Sequence, residues 1–259
     1  MAVSAQTNRS IIGAFEAIDG VAIAVHQERC AKVRNRNVTC LKCADACTSG
    51  CISLVDGQLV IDASKCVGCG TCATVCPTCA LEARNPTDAT LLAQCLEHRA
   101  GNEVVIACAP LLEVAGADAG AGAAADELAA GAALEDVARV VCLGRVDESL
   151  VAALAAEGVQ RVRCVCGSCA QCDQQHGLAT AQSVAETVNG LLEAWGSEAR
   201  MEVEQVATGD VHLGNAPIRA EEAACDAAAE AAGAAAAAGA GTAAHANPAT
   251  TAAAGAAAA

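Results

Sequence analysis

The sequence predicts two unlike folded parts in series: a small cysteine-dense α+β unit, then a small α/β layer on a parallel sheet. An alanine-rich, disordered tail follows. Three observations predict this. Ten of the eighteen cysteines fall within residues 30–79, among short apolar runs separated by turn residues. Residues 88–206 alternate helical and strand-like apolar patterns, the signature of βαβ units. From about residue 220 onward almost every position is alanine or glycine, which offers too little to bury.

Taken in order, Ile52–Ile61 reads as two apolar runs around Asp56-Gly57, a strong hairpin signal. Apolar periodicity then predicts a helix over 88–99 and a strand over 103–108. An alanine/glycine stretch at about 115–133 reads as a linker, part helical. Beyond it come strand 138–142, helix 147–157, strand 160–166, helix 178–195 and strand 201–206. The domain expectation is 1–87, 88–207 and a low-complexity tail over 208–259. Gly120-Ala-Gly122-Ala-Ala-Ala125 formally matches a dinucleotide-binding fingerprint, but in so Gly/Ala-rich a segment, away from a strand end, the match carries little.

Composition excludes several classes. Of fifteen Lys/Arg and thirty Asp/Glu, residues 1–88 hold eight of each, so the acidic excess lies wholly in the remainder and nucleic acid is not an expected partner. The local basic run Arg29, Lys32, Arg34, Arg36 and Lys42 reads as a solvated face or as steering for an acidic redox partner. The N-terminus lacks the charged region and apolar run of a signal peptide, and no apolar run is long enough to span a bilayer. The expectation is a cytoplasmic chain, without membrane insertion, whose cysteines are reduced thiols and not a disulfide framework. Phe15 and Trp195 are the only aromatics, so the cysteine-rich part lacks the usual source of buried area. Bound metal would supply stability in its place.

The densest motif is Cys66-x2-Cys69-x2-Cys72-x3-Cys76-Pro77. Three thiols two residues apart wrap one cubane cluster, while the fourth, set off by three residues and stiffened by proline, serves a neighbouring one. A second quartet is therefore expected. Subtracting 29 from Cys69, Cys72 and Cys76 gives Cys40, Cys43 and Cys47; subtracting 29 from Cys66 gives Asn37, so one ligand has moved. Cys30 is the preferred replacement, because residues 31–39 can loop out; Cys51 is the rival, although it breaks the repeat. Structural zinc is the bland alternative, which the x3-Cys-Pro ending suits less well. Cys79, and Cys51 if it is not a ligand, are expected as small core fillers beside a cluster.

These residues resemble the two-cluster bacterial-type 4Fe-4S ferredoxins over about residues 20–86. The resemblance implies an α+β ferredoxin-like two-cluster domain holding two [4Fe–4S] clusters that carry single electrons. By position, Cys30, Cys40, Cys43 and Cys76 would hold cluster 1, and Cys66, Cys69, Cys72 and Cys47 cluster 2. Thr48 stands where the family has proline.

A second cysteine set follows. Cys108, Cys142 and Cys166 each sit at the carboxyl end of a predicted strand, the edge where open parallel sheets bind ligands, and Cys169 and Cys172 follow directly. Together with Gly144, Arg145, Val146 and Asp147, this pattern resembles the delta iron–sulfur subunit of methyl-viologen-reducing hydrogenase and heterodisulfide reductase systems, over about residues 103–195. That family passes electrons between those enzymes through a [2Fe–2S] cluster. The resemblance implies a third, additional iron–sulfur cluster on Cys142, Cys166, Cys169 and Cys172, with Cys108 as a fifth candidate; zinc and unliganded thiols stay open. Cys164 should face the other side of its strand, and Cys95 and Cys225 read as bystanders. His176 is a candidate ligand or an incidental neighbour. Arg145 and Asp147 would set a cluster's hydrogen bonding or form a local ion pair capping a helix.

No nucleophile–base pair or phosphate loop is visible, so the chain reads as a carrier and not as an enzyme on its own. Function is expected to be single-electron transfer to or between redox enzyme subunits: a hydrogenase, a heterodisulfide-reductase-like complex or a molybdenum oxidoreductase. The alternatives are an iron–sulfur redox- or iron-sensing adaptor and the electron-input subunit of a disulfide reductase.

Overall fold

The computed structural model describes residues 22–117 and 137–207. The linker over 118–133, the tail from 208 and Cys225 lie outside the described residues.

The cysteine-rich part is built from two small antiparallel sheets. β1 (Ile23–Val25) pairs with β4 (Leu81–Ala83), with Ile23 opposite Ala83 and Val25 opposite Leu81. β2 (Ile52–Val55) and β3 (Gln58–Ile61) form the expected hairpin. Its turn residues Asp56 and Gly57 both have positive φ, 49° and 77°, as the turn favoured between twisted strands requires. Single helical turns carry the thiols: α1 (Ala31–Arg34), α2 (Lys42–Ala46) and α3 (Thr71–Thr74). Between the sheets lies a core of Ile23, Ile52, Leu59 and Leu81, and the same cluster includes Cys43, Cys51 and Cys72. Sulfur fills the volume that aromatics would occupy elsewhere.

The second part is a four-stranded, wholly parallel sheet: β5 (Glu103–Cys108), β6 (Ala138–Val140), β7 (Arg161–Cys166) and β8 (Arg200–Gln205), in the order β6-β5-β7-β8. After Glu103, β5 is a continuous buried apolar run, as a strand covered on both faces demands. It leads straight into α5 (Ala109–Ala117), so helix begins before the point where composition predicts a linker. Helices α4 (Asp88–Glu97), α6 (Glu148–Ala156) and α7 (His176–Ala194) pack side by side, α6 in the middle. The Thr87 hydroxyl accepts from Thr90 N–H (3.2 Å) to cap α4, and Asp147 accepts from Leu150 N–H (2.8 Å) to cap α6. In α7 the buried positions 177, 181, 184, 188 and 192 trace one helical face onto the sheet. The core is aliphatic: Leu91, Ile106, Val151, Leu154, Val188 and Leu192 are all at most 2% exposed.

Across the sheet Arg163 of β7 donates to both carboxylate oxygens of Glu204 on β8 (3.0 and 2.8 Å) and to Glu103 on β5 (3.3 Å). The guanidinium holds Glu204 below the usual carboxylate range. Its stabilising effect is therefore present above the ordinary glutamate pKa and lost as pH falls through the lowered one.

Leu154→Ala empties a fully buried site in α6 and is expected to cost about 2–5 kcal/mol in urea unfolding followed by circular dichroism. Leu191→Ala, at a position 41% exposed on α7, is expected to change stability by less than about 0.5 kcal/mol.

Candidate metal centres

Three groups of thiols stand out, and none of the cysteines named for them is in a disulfide. The first gathers Cys30, Cys43 and Cys76. Cys30 caps α1 and Cys43 lies on α2. Cys76 follows α3, and its sulfur accepts from Ala80 N–H (3.3 Å). Burial pushes the Cys43 thiol up to about 11, and the nearby Cys76 and Cys30 push in the same direction. Burial also opposes ionisation of Cys76, but N–H donors at Thr78, Ala80 and Leu81 together outweigh it and pull that thiol below its ordinary value. Cys40 is half-buried two residues before α2. Asn37, at the vacated repeat position, is exposed, its backbone N–H bonded to the Asn35 side chain (3.0 Å).

The second group surrounds the loop Cys66–Cys72. Burial raises Cys72, and Cys69, Cys66, Cys47 and Cys51 all add to the effect, which brings five thiols into one electrostatic neighbourhood. Cys51 belongs here: its sulfur is 3.4 Å from that of Cys47, and Cys66 also bears on it. The hydroxyl of Ser49 and the N–H of Cys51 hold Cys47 down against the effect of burial, while Cys51 is raised by burial. Cys51 is thus a buried thiol beside this group. Cys79 is exposed at φ 49°, contrary to the expectation of a core filler, because the left-handed turn carries its side chain outward.

The third group lies at the carboxyl edge of the parallel sheet. Cys108, Cys142, Cys166, Cys169 and Cys172 all line a single pocket with Gly167, Gln174 and Leu178. Cys166 is raised first by its hydrogen bond with Cys169 and then by burial, and Cys169 is lowered by the same bond. Cys142 is raised by burial, against the N–H of Gly144. The sulfur of Cys142 is 3.9 Å from the Gln174 carbonyl, and that of Cys172 accepts from Gln174 N–H (3.4 Å). α7 can approach because Gly177 has no Cβ; one there would lie 2.0 Å from the Cys142 sulfur. Cys95 and Cys164 are fully buried neighbours in the core and do not line this pocket. Cys164 lies two residues before Cys166 on β7 and so shares its face, contrary to the expectation that it turns to the other side.

The second and third groups meet. Cys69 is an electrostatic neighbour of both Cys142 and Cys172. Two side chains pin the contact from opposite sides. The Thr48 hydroxyl donates to the Gln174 side-chain carbonyl (3.1 Å), and the ring Nδ1 of His176 donates to the Ala46 carbonyl (3.2 Å). Thr48, the departure from the expected proline, is thus a docking residue, and His176 is an exposed strut with its Nδ1 engaged on backbone. Sequence reasoning missed Gln174, which is 4% exposed, because no motif marks a polar side chain that bridges 126 residues of chain.

The donor set fits iron–sulfur clusters. Buried thiols raised above their ordinary pKa stay protonated at neutral pH unless a metal displaces the proton. Among the described residues, no three or more His, Cys, Asp or Glu side chains are drawn in tightly enough to hold a single metal ion. A cluster, several atoms across, spaces its ligands more widely than one zinc ion does. Among the described residues, the buried hydroxyls of Thr71 and Thr74 and the Nε of Arg145 find no hydrogen-bond partner.

Comparison with known families agrees with both parts. Residues 59–82 match the 4Fe-4S binding domain, a span that contains Cys66, Cys69, Cys72 and Cys76. Residues 115–219 match the methyl-viologen-reducing hydrogenase, delta subunit, a span that contains Cys142, Cys166, Cys169 and Cys172. No curated protein and no solved structure matches the chain. Among the described residues, no helix is long and apolar enough to cross a membrane.

Gly177→Ala is expected to displace Cys142 and to lower iron content in the third group while the 4Fe-4S signal of the Cys66 motif persists. Gly190→Ala on the same helix, where a Cβ meets nothing within 4 Å, is expected to leave iron content unchanged. Iron analysis with electron paramagnetic resonance on anaerobic protein checks both.

Proposed function

We propose that this chain is an iron–sulfur electron-transfer subunit that serves redox enzymes of the hydrogenase or heterodisulfide-reductase kind, or a molybdenum oxidoreductase. In this reading residues 1–87 form a two-cluster ferredoxin domain, with Cys30, Cys40, Cys43 and Cys76 holding one [4Fe–4S] cluster and Cys47, Cys66, Cys69 and Cys72 the other. Residues 88–207 form the second domain, whose Cys142, Cys166, Cys169 and Cys172, with Cys108 beside them, hold a third centre. When bound, such clusters supply storage and release of single electrons.

One observation carries the proposal: Cys69, in the middle of the densest motif, neighbours Cys142 and Cys172 of the other domain. The Cys66–Cys72 loop therefore adjoins the sheet-edge pocket, and the Cys30/Cys43/Cys76 group shares its domain. The chain's own residues fix this contact. The hairpin and α3 hold the Cys66–Cys72 group, Gln174 and His176 clamp the pocket against it, and aliphatic side chains seal the sheet from water. The exposed Arg29, Arg34, Arg36 and Lys42 flank Cys30 and Cys40, a positive surface suited to an acidic redox partner.

The ligand assignment is tested by counting iron and acid-labile sulfide, with electron paramagnetic resonance, on anaerobically purified wild type, Cys30→Ser and Cys51→Ser. Cys30→Ser is expected to alter or abolish one cubane signal and Cys51→Ser to keep both. Loss of a cubane in Cys51→Ser alone would reverse the assignment, and a wild type holding only zinc would remove the function.

A further inference from the structure

Arg145 is 2% exposed, and it lies at the junction of the two parts. Its neighbour across the junction is Gly70, which stands between Cys69 and Thr71 with φ +77°; a Cβ on Gly70 would come within 2.4 Å of the Arg145 Cδ. The aliphatic stem of the arginine therefore lies directly on the backbone of the Cys66–Cys72 loop. The fit is reciprocal. A Cβ on Gly144, the residue before the arginine, would lie 2.3 Å from the Thr71 hydroxyl. Each loop offers a glycine to a side chain of the other.

The guanidinium donates to the Asp88 carboxylate and to the Pro86 carbonyl (3.3 Å), and Asp147 lies 4.0 Å away. Asp88 is itself 73% exposed on its side chain, so water screens much of its charge, and Asp147 is engaged in capping α6. The arginine Nε has no hydrogen-bond partner among the described residues. A permanent cation is thus buried against a thiol-bearing loop, and of its two carboxylate neighbours the nearer, Asp88, is solvent-exposed and the other, Asp147, is shared with a helix cap.

Resting on the two-cluster reading, we propose that Arg145 is a positioning residue for the Cys66–Cys72 loop and raises the reduction potential of the cluster bound there. A cluster gains negative charge on reduction, and a buried cation stabilises the reduced form more than the oxidised one. The group of Cys30, Cys40, Cys43 and Cys76 lacks this contact. The cations that flank Cys30 and Cys40 are exposed and screened by water, whereas Arg145 is buried, so its effect biases an electron toward the group beside the sheet-edge pocket.

The test is a redox titration of the full anaerobic chain, monitored by electron paramagnetic resonance, with the first-group cubane as internal reference. Arg145→Gln is expected to shift the reduction equilibrium of the Cys66-group cubane about tenfold toward oxidised, about 59 mV for one electron, with the reference unmoved. Arg145→Lys should recover at least half of that shift. Asp88→Asn, which removes the compensating carboxylate from an exposed position, should move the same midpoint in the opposite direction. Full iron content with unmoved midpoints in Arg145→Gln overturns the proposal while the two-cluster reading stands. If Arg145→Gln loses its cluster, Asp88→Asn decides: an upward shift supports the proposal, and no shift or a downward one overturns it. A wild type without iron overturns both.

Discussion

The reciprocal glycine contact between Gly70-Thr71 and Gly144-Arg145 is the constraint on which the arrangement depends. Without it the chain would be a small thiol-rich unit and a parallel sheet joined by a few residues. With it, a loop that carries Cys69 and Cys72 is pressed onto the turn that follows Cys142, and the two thiol groups become neighbours. A side chain at Gly70 would collide with Arg145 and one at Gly144 with Thr71, so something at the contact must shift, and at Gly70 the positive φ would add strain. The hydrogen bonds at Thr48 and His176 fix the rotation about this contact.

The two parts reach stability by different routes. The sheet domain buries a contiguous aliphatic core from four strands and four helices, and the thiols of its pocket sit on the edge of that core. The first domain has short strands, single-turn helices and a core in which cysteines are a large fraction. Helical turns of four or five residues do not sustain themselves in water. Metal bound by their thiols would supply what the peptide lacks, so folding and cluster assembly are one process there. The raised thiols report the same balance. Burial disfavours free thiolate at Cys43 and Cys72, whereas donors around Cys47 and Cys76 favour it. Each of the first two groups thus contains at least one thiol ready to lose its proton as metal enters.

Much of this was legible in the sequence. The hairpin at Asp56-Gly57 and the strand 103–108 fall where the turn chemistry and apolar runs put them. Helix α5 was legible only as a part-helical linker from about 115. The other strands and helices of the second part differ by one or two residues at their ends, where fraying and caps blur any periodicity. The motif of Cys66–Cys76 and the gathering of Cys142, Cys166, Cys169 and Cys172 with Cys108 were readable, because spacing and strand ends are local properties. Long-range facts were not. The pairing of β1 with β4 joins three-residue strands too short to show alternation. The position of Cys51 beside Cys47 and Cys66 follows from how the hairpin packs. Gln174, Thr48 and Arg145 look like ordinary polar residues until the partner loop is in view.

The account is tested most directly by the magnetic spectrum of the fully reduced, oxygen-free chain. If Cys69 lies beside Cys142 and Cys172, the spins of the Cys66-group cluster and of the sheet-edge centre must interact. The predicted result is a split, broadened signal that collapses to a simple cubane spectrum in Cys142→Ser. Sharp, mutually independent signals in the wild type, unchanged by that substitution, would contradict it.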